Sequence, residues 1–221
     1  PVFQTSTYVQ DGPGGHKGYE YARTQNPTRE ALEASLAALE NGTFAVATSS
    51  GCAATTNILH LLKAGDHVVS SDDVYGGTYR LFTRVFAQLG IDFTFVDLTS
   101  ASRLDEAMRP NTKLVWLETP TNPLLKILDI EELSKRAHRR GASGALGETG
   151  ATVVVDNTFL SPALQRPLEL GADVVVHSAT KYLGGHSDVV GGVIVGKTKE
   201  HHEQLRYLQN AIGAVPGPWD C

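Results

Sequence analysis

The chain has 221 residues, of which 41% are hydrophobic and 19% are charged, which fits one ordinary globular domain or two small ones. Its formal net charge of −5 argues against a nucleic-acid-binding surface, which would need a basic excess. No apolar run is long enough to cross a bilayer, so we expect no membrane partner. The two cysteines have no CxxC spacing, which argues against a disulfide scaffold or a zinc site. We therefore expect a cytoplasmic protein that holds no metal.

The first residues predict an irregular arm over 1–27. "QDGPGGHKG" (10–18) is rich in turn residues, and "YEYARTQNPT" (19–28) is polar and aromatic. Such an arm buries little of itself, so we expect it to lie on another surface, such as a neighbouring subunit. A helix over 28–42 follows, because leucines recur there at helical spacing before the terminating Asn41-Gly42.

From there strand-like and helix-like segments alternate. The strand-like runs are 44–49, 67–71, 91–96, 113–118, 152–157, 173–177 and 189–196, and the helix-like runs lie near 52–63, 78–89, 102–108, 129–140 and 198–212. This alternation predicts an α/β fold with a mainly parallel sheet covered by helices on both faces. Ligands of such sheets bind beyond the carboxyl ends of the strands, so the loops there are the candidates for a site.

Two of these loops could contact a flat, phosphorylated ligand. Gly51-Cys52 opens a helix directly after a strand, where free N–H groups can bind a phosphate, although a tight turn alone would also need the glycine. Tyr75 precedes two glycines at another strand end. It could offer its ring face and its hydroxyl to a ligand, or could be a loop tyrosine packed on its neighbours.

Two further loops supply carboxylates and an amine. Glu118 and Asn122 lie in a loop that two prolines make rigid, which could be a turn with a solvated carboxylate. Asp156 follows three consecutive valines and either caps a turn or is a buried charge that needs a partner. Lys181 stands in a segment poor in charge, as a surface cation or as a reactive amine.

Together these loops match the needs of pyridoxal 5′-phosphate (PLP). Its aldehyde needs an amine with which to form a Schiff base, and its ring nitrogen needs an anion beside it. Its ring face needs a flat side chain against which to stack. Its phosphate needs N–H and hydroxyl donors, and Ser178 and Thr180 stand close to Lys181 in the sequence. The sequence therefore predicts a PLP site at this edge of the sheet.

The same motifs resemble the Cys/Met-metabolism family of PLP enzymes, and among them the cystathionine γ-lyases and γ-synthases most. The matching stretches are "YEYARTQNPTR", "SSGCAAT", "DVYGGTYRLF", "KLVWLETPTNP", "VVVDNTFLSP", "HSATKYLGGHSDVVGG" and "LQNAIGAVPGPWDC". They cover nearly the whole chain in family order. The resemblance implies the PLP-dependent transferase fold type I, which is the fold of aspartate aminotransferase.

The resemblance also implies roles for individual residues around the cofactor. Lys181 would form the Schiff base and move protons, and Tyr75 would stack on the ring and assist acid–base steps. Asp156 would pair with the ring nitrogen, with support from Thr158. The residues implied to bind the phosphate are Gly51, Cys52, Ser178 and Thr180.

Other roles concern a neighbouring subunit and the substrate. Tyr21 and Arg23 of the arm would reach the cofactor phosphate of the neighbour, in a homotetramer built as a dimer of dimers with shared active sites. Asn122 and Arg80 are expected near the substrate carboxylate, and Glu20 near the distal end of the substrate.

The chain departs from the family pattern at several places. Cys52 replaces a residue that is often Met, Leu or Ser, and Gly77 replaces a cysteine typical of methionine γ-lyases, which argues against that activity. The glycine-rich stretch 141–150 is longer than in relatives, and we interpret it as a mobile surface insertion. The resemblance implies that family chains continue into a smaller C-terminal domain, and we expect that domain to be absent from these 221 residues.

We therefore expect a large PLP-binding domain over 28–221 preceded by the arm, and we expect the chain to be truncated. The expected reaction is γ-elimination of L-cystathionine to cysteine, 2-oxobutyrate and ammonia. The alternatives are γ-replacement on an activated homoserine, as in cystathionine γ-synthase or O-acetylhomoserine sulfhydrylase, and a non-catalytic fragment.

Overall fold

The computed structural model describes residues 1–140, 144–146 and 150–221. Strands β1 to β9 are Gln10–Gly12, Gly15–His16, Phe44–Thr48, His67–Ser71, Asp92–Val96, Thr112–Glu118, Thr152–Asp156, Val174–Ser178 and Gly192–Gly196. Helices α1 to α7 are Pro27–Leu39, Gly51–Leu59, Gly76–Arg80, Ser102–Ala107, Ile130–Arg139, Ser161–Leu164 and Lys199–Ile212. A π-helical turn (Leu81–Val85) and a 3-10 turn (Phe86–Leu89) continue α3, and a second 3-10 turn spans Pro167–Leu170. The predicted insertion over 141–150 lies outside the described residues, apart from 144–146 and 150.

Strands β3 to β9 form one sheet in the order β3-β9-β8-β7-β6-β4-β5. The neighbours from β8 to β5 run parallel, whereas β9 is antiparallel to both β3 and β8. The predicted α/β class with a mainly parallel sheet is confirmed. Strand β9 begins at Gly192 and not at 189 as predicted, because Gly191 exchanges hydrogen bonds with the Thr180 hydroxyl instead.

Helices cover both faces of the sheet. On the front face, α2, the α3 region and α7 pack over alternate strand residues such as Val154, Val174 and Ile194. On the back face, α1, α4 and α5 pack over the intervening residues, such as Val155 and Val175. The predicted two-sided covering is therefore present, and it leaves the strand ends as the place for a site.

Local signals explain where two of the helices begin. Asn26 caps α1 by accepting hydrogen bonds from the N–H groups of Thr28 and Arg29, and Pro27 occupies the first helical position. Ser50 caps α2 by accepting a hydrogen bond from the Ala53 N–H. The second cap matters for function because it directs the start of α2 toward the strand ends.

The arm is anchored to its own chain at its end. The buried guanidinium of Arg29 donates to the main-chain carbonyls of Ala22, Arg23 and Thr24. Arg23 in turn donates to the Asn210 main-chain carbonyl at 2.5 Å and to its side-chain oxygen at 2.9 Å. Residues before this anchor are mostly exposed and include the small hairpin of β1 and β2.

Strand β3 lies at one edge of the sheet, and side chains occupy part of its outer backbone. The Ala47 N–H donates to Glu33 Oε1 of α1 at 2.9 Å. The Ala47 carbonyl accepts a hydrogen bond from Gln209 Nε2 of α7. Both side chains are buried, so these bonds are shielded from water.

No helix in the described part of the chain is long and apolar enough to cross a membrane. The described residues likewise contain no group of His, Cys, Asp and Glu side chains placed to hold a metal ion.

Candidate active site

A cavity of about 310 Å³ lies where the carboxyl ends of β6, β7 and β8 meet the start of α2. The predicted site residues that line it are Gly51, Cys52, Tyr75, Asn122, Asp156, Thr158, Ser178, Thr180 and Lys181. These residues come from loops up to 130 positions apart by sequence number, from 51 to 181. The parallel strand ends bring them together, as the prediction required.

The start of α2 forms the donor-rich end of the cavity. Gly51 and Cys52 are the first helical residues, and N–H groups in a first turn lack intrahelical acceptors. A Cβ at position 51 would lie 2.8 Å from the Ser178 Cβ, so only glycine lets α2 approach β8 this closely. The arrangement places helix N–H groups beside the Ser178 hydroxyl, which suits an anion such as a phosphate.

Asp156 ends β7 with its two carboxylate oxygens in different roles. Oδ1 accepts hydrogen bonds from the Thr158 hydroxyl at 2.5 Å and the Thr158 N–H at 3.1 Å. Oδ2 accepts none from the described residues. Burial raises the pKa of Asp156, and the Thr158 hydrogen bonds and the His177 side chain oppose this rise. The free oxygen is therefore available to a cationic N–H group in the cavity, which would favour the ionised state of Asp156.

Thr158 links Asp156 to the next strand. Its hydroxyl accepts a hydrogen bond from the Ser178 N–H at 2.9 Å while it donates to Asp156. The ends of β7 and β8 are therefore joined directly beside the carboxylate.

Glu118 is a cavity residue that sequence reasoning did not assign to the site. It ends β6 as the direct neighbour of Asp156 in the β6–β7 pairing, and its side chain is buried. Its Oε1 and Oε2 accept hydrogen bonds from the Tyr75 N–H at 3.1 and 2.9 Å. Burial, reinforced by the Asp156 carboxylate, raises the pKa of Glu118 to about 8. The apolar run that leads into Glu118 was the signal that could have identified this residue, just as a similar run drew attention to Asp156.

Tyr75 lies at the cavity wall with 46% of its surface exposed. The Glu118 carboxyl holds its backbone, and Gly77 leaves room for its ring. A Cβ at position 77 would lie 2.3 Å from the Tyr75 Cε1, so a side chain there would displace the ring. This contact gives a physical reason for the glycine at position 77.

Lys181 follows β8 at the mouth of the cavity. Its N–H donates to the Ser178 carbonyl at 3.2 Å, which turns the chain sharply after the strand. The Thr180 hydroxyl fixes this turn through its two hydrogen bonds with Gly191. The turn places the amine of Lys181 on the same cavity as Asp156 and Tyr75.

Four predicted site residues do not line this cavity within a single chain: Glu20, Tyr21, Arg23 and Arg80. All four are exposed. The Arg23 guanidinium lies 5.6 Å from the centre of the Tyr21 ring and is bonded to Asn210 of its own chain. Their roles in a neighbouring subunit or at a substrate stay predictions.

The comparison with protein families explains this arrangement. The family described as "Cys/Met metabolism PLP-dependent enzyme" matches residues 1–221. The chain belongs to this family. The predicted family and its cofactor, PLP, are thereby confirmed.

Named relatives agree with this membership. The chain is 55% identical to a probable cystathionine γ-synthase of Herpetosiphon aurantiacus and 54% identical to a cystathionine γ-lyase of Bacillus subtilis (strain 168), with the whole chain aligned in both cases. It spans 66% of the first relative and 56% of the second, so it corresponds to little more than half of such proteins.

Solved structures of the family have the same fold. The crystal structure of metB from Corynebacterium glutamicum matches with a TM-score of 0.94 and 48% identity. That of cystathionine γ-lyase from Lactobacillus plantarum complexed with L-serine matches with 0.93 and 46%. Each match covers the whole chain and 55% of the solved chain. The predicted fold type I is therefore confirmed.

The residues of the cavity fit PLP. The unpartnered Asp156 oxygen suits the protonated ring nitrogen, and the start of α2 with the Ser178 hydroxyl suits the phosphate. Lys181 supplies the amine and Tyr75 an aromatic face on the same cavity.

Proposed function

We propose that the protein is a PLP-dependent trans-sulfuration enzyme that cleaves L-cystathionine by γ-elimination, giving cysteine, 2-oxobutyrate and ammonia. The observation that carries the proposal is the position of Asp156, held by Thr158 through one oxygen and open at the other, on the same cavity as Lys181 and Tyr75. Relatives named cystathionine γ-lyase at 54% and 51% identity support the substrate class.

Each cavity residue then has a distinct task. Bound PLP supplies a ring that accepts electrons and stabilises negative charge on the substrate's α carbon. Asp156 keeps the proton on the ring nitrogen, which maintains that capacity. Lys181 would hold the cofactor through its amine, and its Nζ would accept the α proton of the substrate.

Tyr75 and Asn122 act on the substrate side. The Tyr75 hydroxyl donates a proton to the sulfur that leaves as cysteine, which avoids the release of a free thiolate. Asn122 lines the cavity and would orient the substrate carboxylate. Gly51, Cys52, Ser178 and Thr180 line the same cavity and would anchor the cofactor phosphate.

γ-Replacement on an activated homoserine is the second candidate, because relatives named cystathionine γ-synthase are 55% and 54% identical to the chain. A relative named cystathionine β-lyase is 52% identical. The cavity residues described above serve all of these reactions, so product identity has to decide between them.

We further propose that the arm, residues 1–27, completes the cavity of a neighbouring subunit in a homotetramer, and that residues 28–221 form the large cofactor domain. The support is that Tyr21 and Arg23 are exposed and do not line the cavity of their own chain. A cytoplasmic location belongs to the same proposal and agrees with the two free cysteines, Cys52 and Cys221.

Product analysis with the complete protein tests the reaction. The enzyme is given PLP and L-cystathionine, and the products are separated by chromatography. Cysteine with 2-oxobutyrate supports γ-elimination, whereas homocysteine with pyruvate would show β-cleavage and overturn the choice of reaction. Without turnover, an activated homoserine is tested next together with cysteine or sulfide, and the appearance of cystathionine or homocysteine establishes γ-replacement.

The third alternative, a fragment that binds cofactor without turnover, is tested with residues 1–221 expressed alone. PLP binding with no products from either substrate would establish it for this segment.

A further inference from the structure

A buried polar network lies directly behind the candidate active site. Glu40 Oε1 contacts His177 Nε2 at 2.5 Å and accepts a hydrogen bond from Asn157 Nδ2 at 2.9 Å. Asn157 also donates to the Gln165 carbonyl at 2.8 Å and accepts from Gln165 Nε2 at 2.9 Å. Gln165 Nε2 reaches the Thr119 carbonyl at 3.2 Å. The network therefore connects the ends of β6, β7 and β8.

Glu40 and Asn157 lie outside the cavity, whereas His177 also contributes to its lining, and the side chains of the network point to the opposite face of the sheet from the cofactor residues. Along β7, Val154 faces the front and Val155 faces the back, so alternation places Asp156 on the front. Asn157 follows Asp156 and contacts Glu40 at the end of α1, which covers the back face. One strand end thus carries a cofactor residue on one side and a network residue on the other.

The end of β8 repeats this arrangement. Val175 faces the back and Val176 the front, so His177 points to the back and Ser178 to the front. Ser178 donates its N–H to Thr158, while His177 contacts Glu40. Adjacent residues on both strands are therefore divided in the same way between the cavity and the network.

Burying the polar groups of this network costs free energy that packing alone does not explain. Glu40 and His177 are each 1% exposed and Asn157 is fully buried. Glu40 Oε2 and His177 Nδ1 have no hydrogen-bond partner among the described residues. Removing such groups from water costs free energy, and apolar residues of similar size would often stabilise the fold as well. A functional reason for a polar pair at this place is therefore worth testing.

Position and charge together suggest the reason. The network fixes the backbone at the residues next to Asp156 and Ser178, and His177 Nε2 lies 2.5 Å from Glu40 Oε1 beside the strand end that holds Asp156. The His177 side chain acts to lower the pKa of Asp156, which favours the ionised form of that carboxyl.

We propose that Glu40, His177 and Asn157 form a positioning unit that holds Asp156 and Ser178 in place for the cofactor from the back of the sheet. None of the three needs to touch the cofactor. The proposal deepens the proposed function, because it rests on PLP binding in the front-face cavity.

The test compares two buried histidines in the complete protein. His177→Leu removes the contact with Glu40, and His177→Gln keeps a side-chain N–H that can donate to it. The matched control is His67, which is fully buried at the amino end of β4 and bonded through both nitrogens to Thr112 and Thr94. The changes His67→Leu and His67→Gln remove buried hydrogen bonds at the end of the sheet that lies away from the cavity.

Each variant is prepared without cofactor, and two quantities are measured: the thermal midpoint of unfolding, and the Kd for PLP by titration of the visible absorbance. We expect His177→Leu to raise the Kd for PLP about tenfold, the factor that follows from losing one buried hydrogen bond. We expect His177→Gln to recover most of this loss. We also expect the visible absorbance of His177→Leu to change with pH around a different midpoint from that of the parent protein, because Asp156 would hold the ring nitrogen's proton less firmly.

Both His67 variants should lower the thermal midpoint while leaving the Kd for PLP and the pH midpoint unchanged. If His177→Leu behaves like His67→Leu, with a lower thermal midpoint but an unchanged Kd and pH midpoint, the network is only structural and the proposal is wrong.

A second variant keeps the proposal testable if the His177 variants do not fold. Gln165 is half-buried, and Gln165→Leu removes the hydrogen bonds to Asn157 and to the Thr119 carbonyl. It should raise the Kd for PLP about threefold, and an unchanged Kd in a folded Gln165→Leu variant would overturn the proposal. The unaltered protein separates the two proposals: if it does not bind PLP, the proposed function fails, whereas normal binding that no variant changes removes only the positioning unit.

Discussion

The carboxyl of Glu118 should make the stability of the cofactor-free protein depend on pH. Its pKa is raised to about 8 in the folded chain from a reference of 4.5, by burial first and by Asp156 second. Between these two values the folded state keeps a proton that the unfolded state releases. The stabilisation is therefore complete below about pH 4.5 and is lost as the pH rises through 8.

The size of the effect follows from one proton. A full proton difference changes the free energy of unfolding by about 1.4 kcal/mol for each pH unit. From pH 5 to pH 7 the protein should lose about 2–3 kcal/mol through this group, and Glu118→Gln should abolish that loss. Titrating groups other than Asp156, which interacts directly with Glu118, are common to both proteins and cancel in the difference between the two slopes.

The assay is urea unfolding of the cofactor-free protein at pH 5, 6 and 7, followed by circular dichroism. Glu106→Gln is the matched control, since Glu106 is an exposed glutamate on α4 and its variant should keep the parent slope. Equal slopes for the parent protein and Glu118→Gln would refute the reasoning, because Glu118 would then be ionised in the folded state.

Three further predictions concern the cavity. Gly77→Ala should displace the Tyr75 ring, destabilise the fold by about 1–3 kcal/mol and lower kcat about tenfold in steady-state assays. The control is Gly76→Ala, which should change kcat little because a Cβ at position 76 would meet no atom within 4 Å. Lys181→Ala should abolish the visible absorbance of the covalently held cofactor with an unchanged circular dichroism spectrum; a retained band would contradict the assignment. Arg23→Ala should weaken PLP retention on dialysis through the neighbouring subunit, and full retention would speak against shared sites.

Much of the fold could be predicted because its signals are local. Apolar runs of strand length alternate with helical spacing, and Asn26-Pro27 and Ser50 mark helix starts. Asp156 and Lys181 could be placed near one another because parallel strands end at a common edge. The exact start of β9 could not be predicted, because it depends on hydrogen bonds between Gly191 and Thr180 across a loop.

The parts of the site that escaped prediction depend on strand order. Glu118 faces Asp156 only because β6 pairs with β7, and a glutamate before a proline-rich loop equally fits a solvated turn. Glu40 and His177 are 137 residues apart in the chain, and nothing local to either residue indicates the other. For Arg23 the sequence predicts more than a single chain can show. Family resemblance assigns it to the site of a second subunit, whereas the structure of one chain shows only its hydrogen bond to the Asn210 carbonyl.

The edge of the sheet at β3 has a consequence for how the molecule meets other molecules. An open edge strand is a template on which another extended chain can hydrogen-bond, and this leads to aggregation or strand exchange. At Ala47 both backbone groups already have partners, the side chains of Glu33 and Gln209, which come from two different helices. An added strand would have to displace both of these buried side chains from the edge. Subunits of this protein should therefore associate through helices and loops, and Gln209→Ala should expose the edge and favour β-rich aggregates.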